Sequence, residues 1–277
     1  MYYRTTPSYA RGRSSGCSGR LIMAAAIALF SIISYFASQQ DNPITGETQY
    51  ISITPEQEIA LGLQAAPQMA AEFGGEDENA NDQALVDEVG NRVLQGSPAG
   101  NSPYQFDFHL LRDDQTINAF ALPGGQIFIT RALYDKLQTE GELAGVLGHE
   151  IGHVIARHSA EQIAKAQLTE GLTGVAVLAT YDPDNPASAN SAQVAALIGQ
   201  LITLKFGRDD ELEADKFGVC FMNDSGYDPN EMVSVMQILE AASSGNAPPE
   251  FFSTHPSPAN RIQRIQDEIQ NINTCPQ

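Results

Sequence analysis

Three histidines and a glutamate lie within one short run of the sequence, Gly148 to His158, which reads GHEIGHVIARH. On a helix, residues four apart share a face, so His149 and His153 point the same way and Glu150 lies at the edge of that face. Two imidazoles in this arrangement can hold Zn²⁺, and the glutamate is placed to take a proton from water. HExxH fixes only three positions and also occurs by chance, so the hypothesis requires a further ligand from elsewhere in the chain.

His158 is not expected to be that ligand. It lies nine residues past His149, which is about half a turn round a continuous helix. Metal sites that use a later histidine of the same run end the helix at a glycine, and Ala156 occupies that position here. We therefore expect no turn that brings His158 to the metal, and we predict a structural role for it.

The segment Arg208 to Gly218, RDDELEADKFG, offers the missing carboxylate. Glu211 and Asp215 are four apart and share a helical face, whereas Glu213 points away from it. A catalytic zinc site needs a third protein ligand and a partner that fixes the orientation of a ligating imidazole. We therefore predict one Zn²⁺ per chain, held by His149, His153 and Glu211, with Asp215 accepting from an N–H of His149.

The elements that must position these residues can be placed from the apolar pattern. A helix is predicted from Thr54 to about Phe73, and a second one follows the acidic stretch after it. Two strands, FDFHLL from Phe106 and QIFIT from Gln126, flank the turn sequence LPGG. The remainder is mainly helical. The predicted fold class is α+β, mainly helical, with a small antiparallel sheet.

Two nearly uncharged segments, Gly171 to Thr180 and Ala192 to Phe206, lie between the motifs. They are predicted either as core helices or as a flap that covers substrate or contacts a membrane surface.

HEIGH followed by ELEAD resembles the gluzincin metallopeptidases that are related to the CAAX prenyl proteases, and most of all their periplasmic quality-control members of the BepA/LoiP type. The similarity runs from about Thr54 to Ile272 and includes NAFALPGGQIFIT, from Asn118, and STHPSPANR, which ends at Arg261. It implies a zincin-like metalloprotease domain, endopeptidase activity and zinc as the cofactor. The many membrane spans of the prenyl proteases are absent, so cleavage of prenylated substrates is not expected.

Three further site residues are predicted with the help of this resemblance. Asn118 is expected to bind the backbone of an extended substrate, although it could be a turn residue. His255 is either a donor to the tetrahedral oxyanion, a ligand that fills the open zinc position and keeps the enzyme latent, or a loop histidine. Arg261 is assigned to substrate binding, and it could instead pair with a carboxylate near the site or cover the final helix.

The N-terminal part has its own charge pattern. Four arginines precede an uncharged apolar run at residues 21–37, and no acidic residue occurs before Asp41. This pattern predicts a basic cytoplasmic segment at 1–20, a transmembrane signal anchor at 21–37 in the lipid bilayer, a linker at 38–53 and the metallopeptidase domain at 54–277. The alternative is a cleaved signal peptide. An uncleaved anchor would hold the protein in a bacterial-type inner membrane, with the catalytic domain in the periplasm or outside the cell. Cleavage of a signal peptide would instead give a secreted protein. In both cases the domain is expected outside the cytoplasm.

The formal net charge of −19 argues against nucleic-acid binding, because phosphate contacts need Lys and Arg.

Cys17 precedes the apolar run, so it cannot be a lipid-attachment cysteine at the end of a signal sequence. Cys220 and Cys275 would both lie in an oxidising compartment, where they form either a disulfide or two separate thiols.

The leading hypothesis is a zinc endopeptidase that acts on unfolded or damaged envelope proteins as part of protein quality control. The alternative is a latent or inactive client-binding chaperone or scaffold with the same fold. Glu150 favours the enzyme, because a binding module needs no general base.

Overall fold

The computed structural model describes residues 16–173, 201, 205–243, 249–257 and 260–275. The two uncharged segments therefore lie outside the described residues, except for 171–173, 201 and 205–206. The described helices are α1 (Gly16–Ala37), α2 (Pro55–Glu72), α3 (Ala80–Gly96), α4 (Arg131–Tyr134), α5 (Glu140–Ile155), α6 (His158–Thr173), α7 (Arg208–Asp224), α8 (Asn230–Ala242), α9 (Phe251–Thr254) and α10 (Arg261–Gln270). Short 3₁₀ turns cover Pro98–Asn101 and Ile272–Thr274.

The strands form two small sheets. β1 (Gln39–Asp41) and β2 (Thr48–Tyr50) make an antiparallel hairpin. β3 (Asp107–Leu111), β4 (Ala119–Ala121) and β5 (Gln126–Thr130) form a second sheet in the order β3-β5-β4. The prediction of an antiparallel sheet is only half right, because β3 pairs with β5 in parallel and β4 pairs with β5 in antiparallel. β4 intervenes between them along the chain and takes the edge, which lets β3 and β5 run in the same direction.

The first helix of the predicted domain begins at Pro55, directly after Thr54, the residue predicted to cap it. The hydroxyl of Thr54 accepts from the backbone N–H of Gln57, and the Gln57 side chain accepts from the backbone N–H of Thr54. Pro55 occupies the first turn, where no intrahelical partner for an N–H is needed. The LPGG turn is likewise as predicted, since Gly124 and Gly125 have φ of +84° and +115°, which favour glycine.

α5 lies at the centre of the core, and all its residues from Glu142 to Ile155 are buried. It packs against α7, α3, α8 and the sheet. Gly152 allows the closest approach, because a Cβ there would lie 2.9 Å from the carbonyl oxygen of Ala214 on α7. The small residue therefore sets the short distance between the two helices that carry the predicted zinc ligands.

The helix is interrupted between α5 and α6, and His158 follows this interruption. The turn brings His158 to the ring of His153 and does not add it to the group of residues that could hold a metal. Arg157 adopts a left-handed backbone with φ of 58°. Its Nε donates to Glu58 at 2.8 Å, and its Nη2 donates to Glu58 and to the carbonyl of Ile53. Burial raises the pKa of Glu58 to about 7, and the Arg157 guanidinium opposes this shift. These contacts hold in place a conformation that a non-glycine residue rarely adopts.

The β1–β2 hairpin lies within the segment predicted as a linker and packs against this break. Asn42 donates to the carbonyl of Ile155 at 2.8 Å, and Gln49 donates to the carbonyl of Ala156. Both are carbonyls at the end of α5, where the helix supplies no partner.

Cys220 on α7 and Cys275 form a disulfide, which decides between the two alternatives for these cysteines.

Within the part of the chain that the structure describes, no helix is both long and apolar enough to cross a membrane. The span at 21–37 and the boundaries drawn at residues 20, 37 and 53 stay predictions.

Candidate active site and metal centre

The two histidines of HExxH lie in the middle of α5, one turn apart. The helix starts at a cap in which the hydroxyl of Thr139 accepts from the backbone N–H of Glu142 at 3.0 Å. Both imidazoles are buried, and the Nε2 atoms of His149 and His153 are 3.1 Å apart. The helical spacing thus brings two ring nitrogens to one point.

Glu211, in the first turn of α7, faces both rings. Its Oε2 lies 3.6 Å from Nε2 of His149, and its Oε1 lies 3.4 Å from Nε2 of His153. One ligand atom each from these three residues and from His255 all lie within 4.8 Å of one another. We call these four residues the metal cluster. Nitrogen and carboxylate oxygen donors grouped this closely are the set that Zn²⁺ takes in proteins, so the residues fit a zinc ion.

Asp215 and Arg261 lie behind the metal cluster. Oδ1 of Asp215, the residue predicted to be the partner of the His149 imidazole, is 2.9 Å from Nδ1 of that ring. Arg261 donates to both carboxylate oxygens of Asp215, at 2.7 and 2.8 Å, and its Nη1 is 3.1 Å from Oε2 of Glu211. Burial opposes ionisation of Asp215, but the Arg261 guanidinium lowers its pKa below the usual range. Arg261 is therefore engaged with two carboxylates of the site, and it does not lie on the wall of the cleft described below.

Glu150 is fully buried beside the metal cluster. Neither of its carboxylate oxygens has a hydrogen-bond partner among the described residues, and Oε1 is 3.6 Å from Nε2 of His255. Burial raises the pKa of Glu150, against the opposing effect of His255 and His149. A carboxylate with free oxygens and a raised pKa is a stronger proton acceptor than an exposed glutamate, which suits a general base.

His255 lies at the end of α9 and reaches the metal cluster from a distant part of the sequence. Its Nδ1 is 3.0 Å from Oε1 of Glu211 and 3.4 Å from Nε2 of His149, and its ring stacks on Phe251 at 4.5 Å between centroids. Burial lowers the pKa of His255, but Glu211 and Glu150 outweigh this and raise it. The structure thus places His255 beside two predicted zinc ligands, Glu211 and His149, and beside Glu150, the predicted general base.

A cleft of about 320 Å³ opens beside the metal cluster and is connected to it through His255. Its wall includes β4, and Asn118 lies immediately before that strand. Asn118 is buried, and its side-chain oxygen has no hydrogen-bond partner within the described part of the chain. The apolar residues of its lining are Met69, Phe73, Phe120, Ala121, Leu122, Leu201 and Phe206.

Two contacts of His153 were not predicted from the sequence. Phe206 stacks on its ring at 4.1 Å between centroids, and Nδ1 of His158 lies 2.8 Å from its Nδ1. Phe206 ends a nearly uncharged segment that carries no ligand-type residue, so no motif marks it. The break at Arg157 that brings His158 back has no glycine or proline signal in the sequence.

Comparison with known proteins places the chain among peptidases. Residues 80–269 match the profile of Peptidase family M48. The beta-barrel assembly-enhancing protease of Yersinia pestis is 32% identical over 238 residues, which cover 84% of this chain and 48% of that protein. The corresponding protein of Escherichia coli is 30% identical over 250 residues, 87% of this chain and 50% of that protein. The mitochondrial metalloendopeptidase OMA1 of Schizosaccharomyces pombe is 31% identical over 244 residues, 84% and 67% of the two chains.

The site combines two histidines of α5 with a glutamate of α7 in a mainly helical fold. This combination is typical of a metallopeptidase. The chain belongs to Peptidase family M48, a family of zinc metallopeptidases, which confirms the resemblance drawn from HEIGH and ELEAD. It spans about half the length of the bacterial relatives that it matches.

Proposed function

We propose that the chain is an endopeptidase that cleaves unfolded or damaged envelope proteins. The observation that carries this proposal is the position of β4, an edge strand that lines a cleft leading to the metal cluster. The bacterial relatives are named for the enhancement of β-barrel assembly, which supports an envelope protein as the substrate.

The hydrogen bonds of β4 leave one side of the strand for a substrate. Leu122 donates to the carbonyl of Gln126 at 2.8 Å, and Thr130 donates to the carbonyl of Asn118 at 3.0 Å. Because backbone groups alternate along a strand, the N–H and C=O of Ala119 and Ala121 are directed away from β5. An extended polypeptide could pair with that edge, and the free oxygen of Asn118 would accept from its backbone. Only a segment without secondary structure of its own can bind in this way, which favours unfolded substrates.

The proposed chemistry follows from the metal cluster. A zinc ion held by His149, His153 and Glu211 would polarise the scissile carbonyl and lower the pKa of water. Glu150 accepts the proton from the attacking water and passes it to the leaving amine. Asp215 keeps the His149 ring oriented, since Arg261 holds that carboxylate ionised.

Two roles are proposed for His255. Its contacts with Glu211 and His149 fit a ligand that closes the metal site and keeps the enzyme latent. Its Nε2, which has no hydrogen-bond partner among the described residues, would serve as a donor to the tetrahedral oxyanion once the ring moves. The described arrangement favours the first role for the resting enzyme.

We also propose that the catalytic domain, residues 54–277, works outside the cytoplasm and is anchored through residues 21–37. The Cys220–Cys275 disulfide supports an oxidising compartment. Leu29, Phe30, Ile33 and Phe36 on α1 are exposed, which supports contact with lipid.

The test uses the full chain, purified in mild detergent and loaded with one zinc, together with Glu150→Gln. Its substrates are casein and one outer-membrane β-barrel protein, supplied either urea-unfolded or already folded. We expect Glu150→Gln to lower the cleavage rate by about 10²- to 10⁴-fold without loss of zinc. Glu140→Gln is the matched control, because it makes the same change on an exposed position of α5.

Cleavage of the unfolded barrel protein and not of its folded form would support the proposed substrate class. Equal cleavage by wild type and Glu150→Gln would contradict the role of Glu150. If neither protein cleaves any substrate while both bind one zinc, the chain is latent under these conditions or binds clients without cleaving them.

A further inference from the structure

A line of three side chains runs outward from the metal cluster on the side away from Asp215. Nδ1 of His153 is 2.8 Å from Nδ1 of His158, and Nε2 of His158 is 3.2 Å from Oε2 of Glu213. Both rings are 1% exposed, and the Glu213 side chain is 26% exposed. Neither His158 nor Glu213 belongs to the metal cluster, and the chemistry proposed above uses neither.

The protons of this line are fixed by the chemistry of imidazole. A neutral ring has one N–H and one nitrogen with a free lone pair. Nε2 of His153 faces His149 and Glu211, so as a metal ligand it must offer its lone pair there. The proton of His153 is then on Nδ1, from which it is donated to Nδ1 of His158. The proton of His158 is therefore on Nε2, and it is donated to the carboxylate of Glu213.

The fold is arranged to make this contact. In a continuous helix, His158 would lie five residues after His153 and therefore about 140° round the helix axis, away from its ring. The left-handed Arg157 ends α5 at Ile155 and returns His158 to the side of His153. Phe206 stacks on the His153 ring, and His158 contacts its Nδ1. The stacking and the hydrogen bond together fix the orientation of that ring.

We propose that His158 and Glu213 are positioning residues that hold the His153 ring and its proton in the state that binds zinc. Their position behind His153 parallels that of Asp215 and Arg261 behind His149. Oδ1 of Asp215 lies 2.9 Å from Nδ1 of His149, and the carboxylate of Glu213 is linked to His153 through His158. This inference rests on the proposed assignment of His153 as a zinc ligand. Partners of this kind typically change metal affinity by about 10- to 100-fold.

The experiment measures the zinc dissociation constant of the full chain at fixed pH by competition with a chromophoric chelator. We expect His158→Leu to weaken zinc binding by about 10- to 100-fold. His158→Asn offers a carbonyl oxygen near the position of Nδ1, so it should recover most of the affinity. Glu213→Leu should weaken binding by a smaller factor, about 3- to 10-fold, because it acts through His158. His109→Leu is the matched control, since His109 lies away from the metal cluster and contacts Glu76 and Gln126.

The cobalt-loaded protein gives a second measurement that does not depend on catalysis. A reoriented His153 ring changes the visible absorption bands of Co²⁺, so we expect a changed spectrum in His158→Leu and a restored one in His158→Asn. A merely structural role would lower the denaturation midpoint of the zinc-free protein and leave the spectrum and the affinity unchanged. That result would overturn the proposal.

If His158→Leu does not fold, Glu213→Leu decides, because its position is partly exposed. Wild-type zinc affinity in folded Glu213→Leu would then overturn the proposal. Loss of zinc binding in His153→Ala, combined with no proteolysis by either the wild type or His255→Ala, in which the proposed latency ligand is removed, would refute the proposed function and leave this inference standing. Unchanged zinc binding in His153→Ala would refute the ligand assignment on which both depend.

Discussion

Arg261→Met should destabilise the zinc-free protein strongly. The guanidinium makes two hydrogen bonds to Asp215, at 2.7 and 2.8 Å, and lies 3.1 Å from Glu211. Asp215, Glu211 and Arg261 are all buried, so the substitution leaves two buried carboxylates without this cation. Breaking a buried ion pair from one side costs about 3–5 kcal/mol. A loss of this size is a large fraction of the roughly 5–15 kcal/mol that typically separates the folded from the unfolded protein.

The assay is urea denaturation with excess chelator, followed by circular dichroism. Arg261→Lys keeps the charge but cannot bind both oxygens of Asp215, so it should lose about 1.5–3 kcal/mol, the value of one hydrogen bond to a charged group. Arg264→Met, on an exposed position of α10, is the control and should stay within about 0.5 kcal/mol of wild type. A loss below about 1 kcal/mol in Arg261→Met would refute the idea that the guanidinium compensates these carboxylates.

Three further predictions concern the residues around the site. His255→Ala should raise peptidase activity if the histidine closes the metal site and lower it if the histidine serves the oxyanion; unaltered kinetics would remove it from the mechanism. Replacing Cys220 and Cys275 by serine should lower the free energy of unfolding by about 2–4 kcal/mol, measured in urea, because the bond closes a long loop; an unchanged midpoint would contradict this. Gly152→Ala should cost about 1–3 kcal/mol, because the new methyl would meet the carbonyl of Ala214 at 2.9 Å; a stability gain would show that α5 and α7 can move apart.

The sequence was sufficient to predict those parts of the site that depend on helical periodicity. His149 and His153 had to share a face, and Glu211 and Asp215 had to share another, once each segment was helical. The apolar residues around HExxH required that this helix be buried, and the structure places it at the centre of the core. Local rules of this kind need no knowledge of what lies opposite each face.

The parts that were not predicted depend on contacts between distant segments. Arg157 would be expected in right-handed backbone, and its left-handed conformation is held by Glu58 and Ile53, about a hundred residues earlier in the chain. The parallel pairing of β3 with β5 is another such case, since nothing in either strand shows which neighbour it will take. His255 was assigned near the metal only because of a family resemblance, since a lone histidine in a loop carries no periodic signal.

The β1–β2 hairpin shows how such distant contacts reach the site. A left-handed non-glycine residue costs about 1–2 kcal/mol, and α5 ends there with carbonyls that lack helical partners. Asn42 and Gln49 of the hairpin supply donors to two of those carbonyls, while Glu58 of α2 holds the Arg157 side chain. The break is therefore maintained by residues that precede the region matched to the peptidase family. Because the same break brings His158 to His153, the hairpin contributes to the geometry of the metal cluster without touching a ligand.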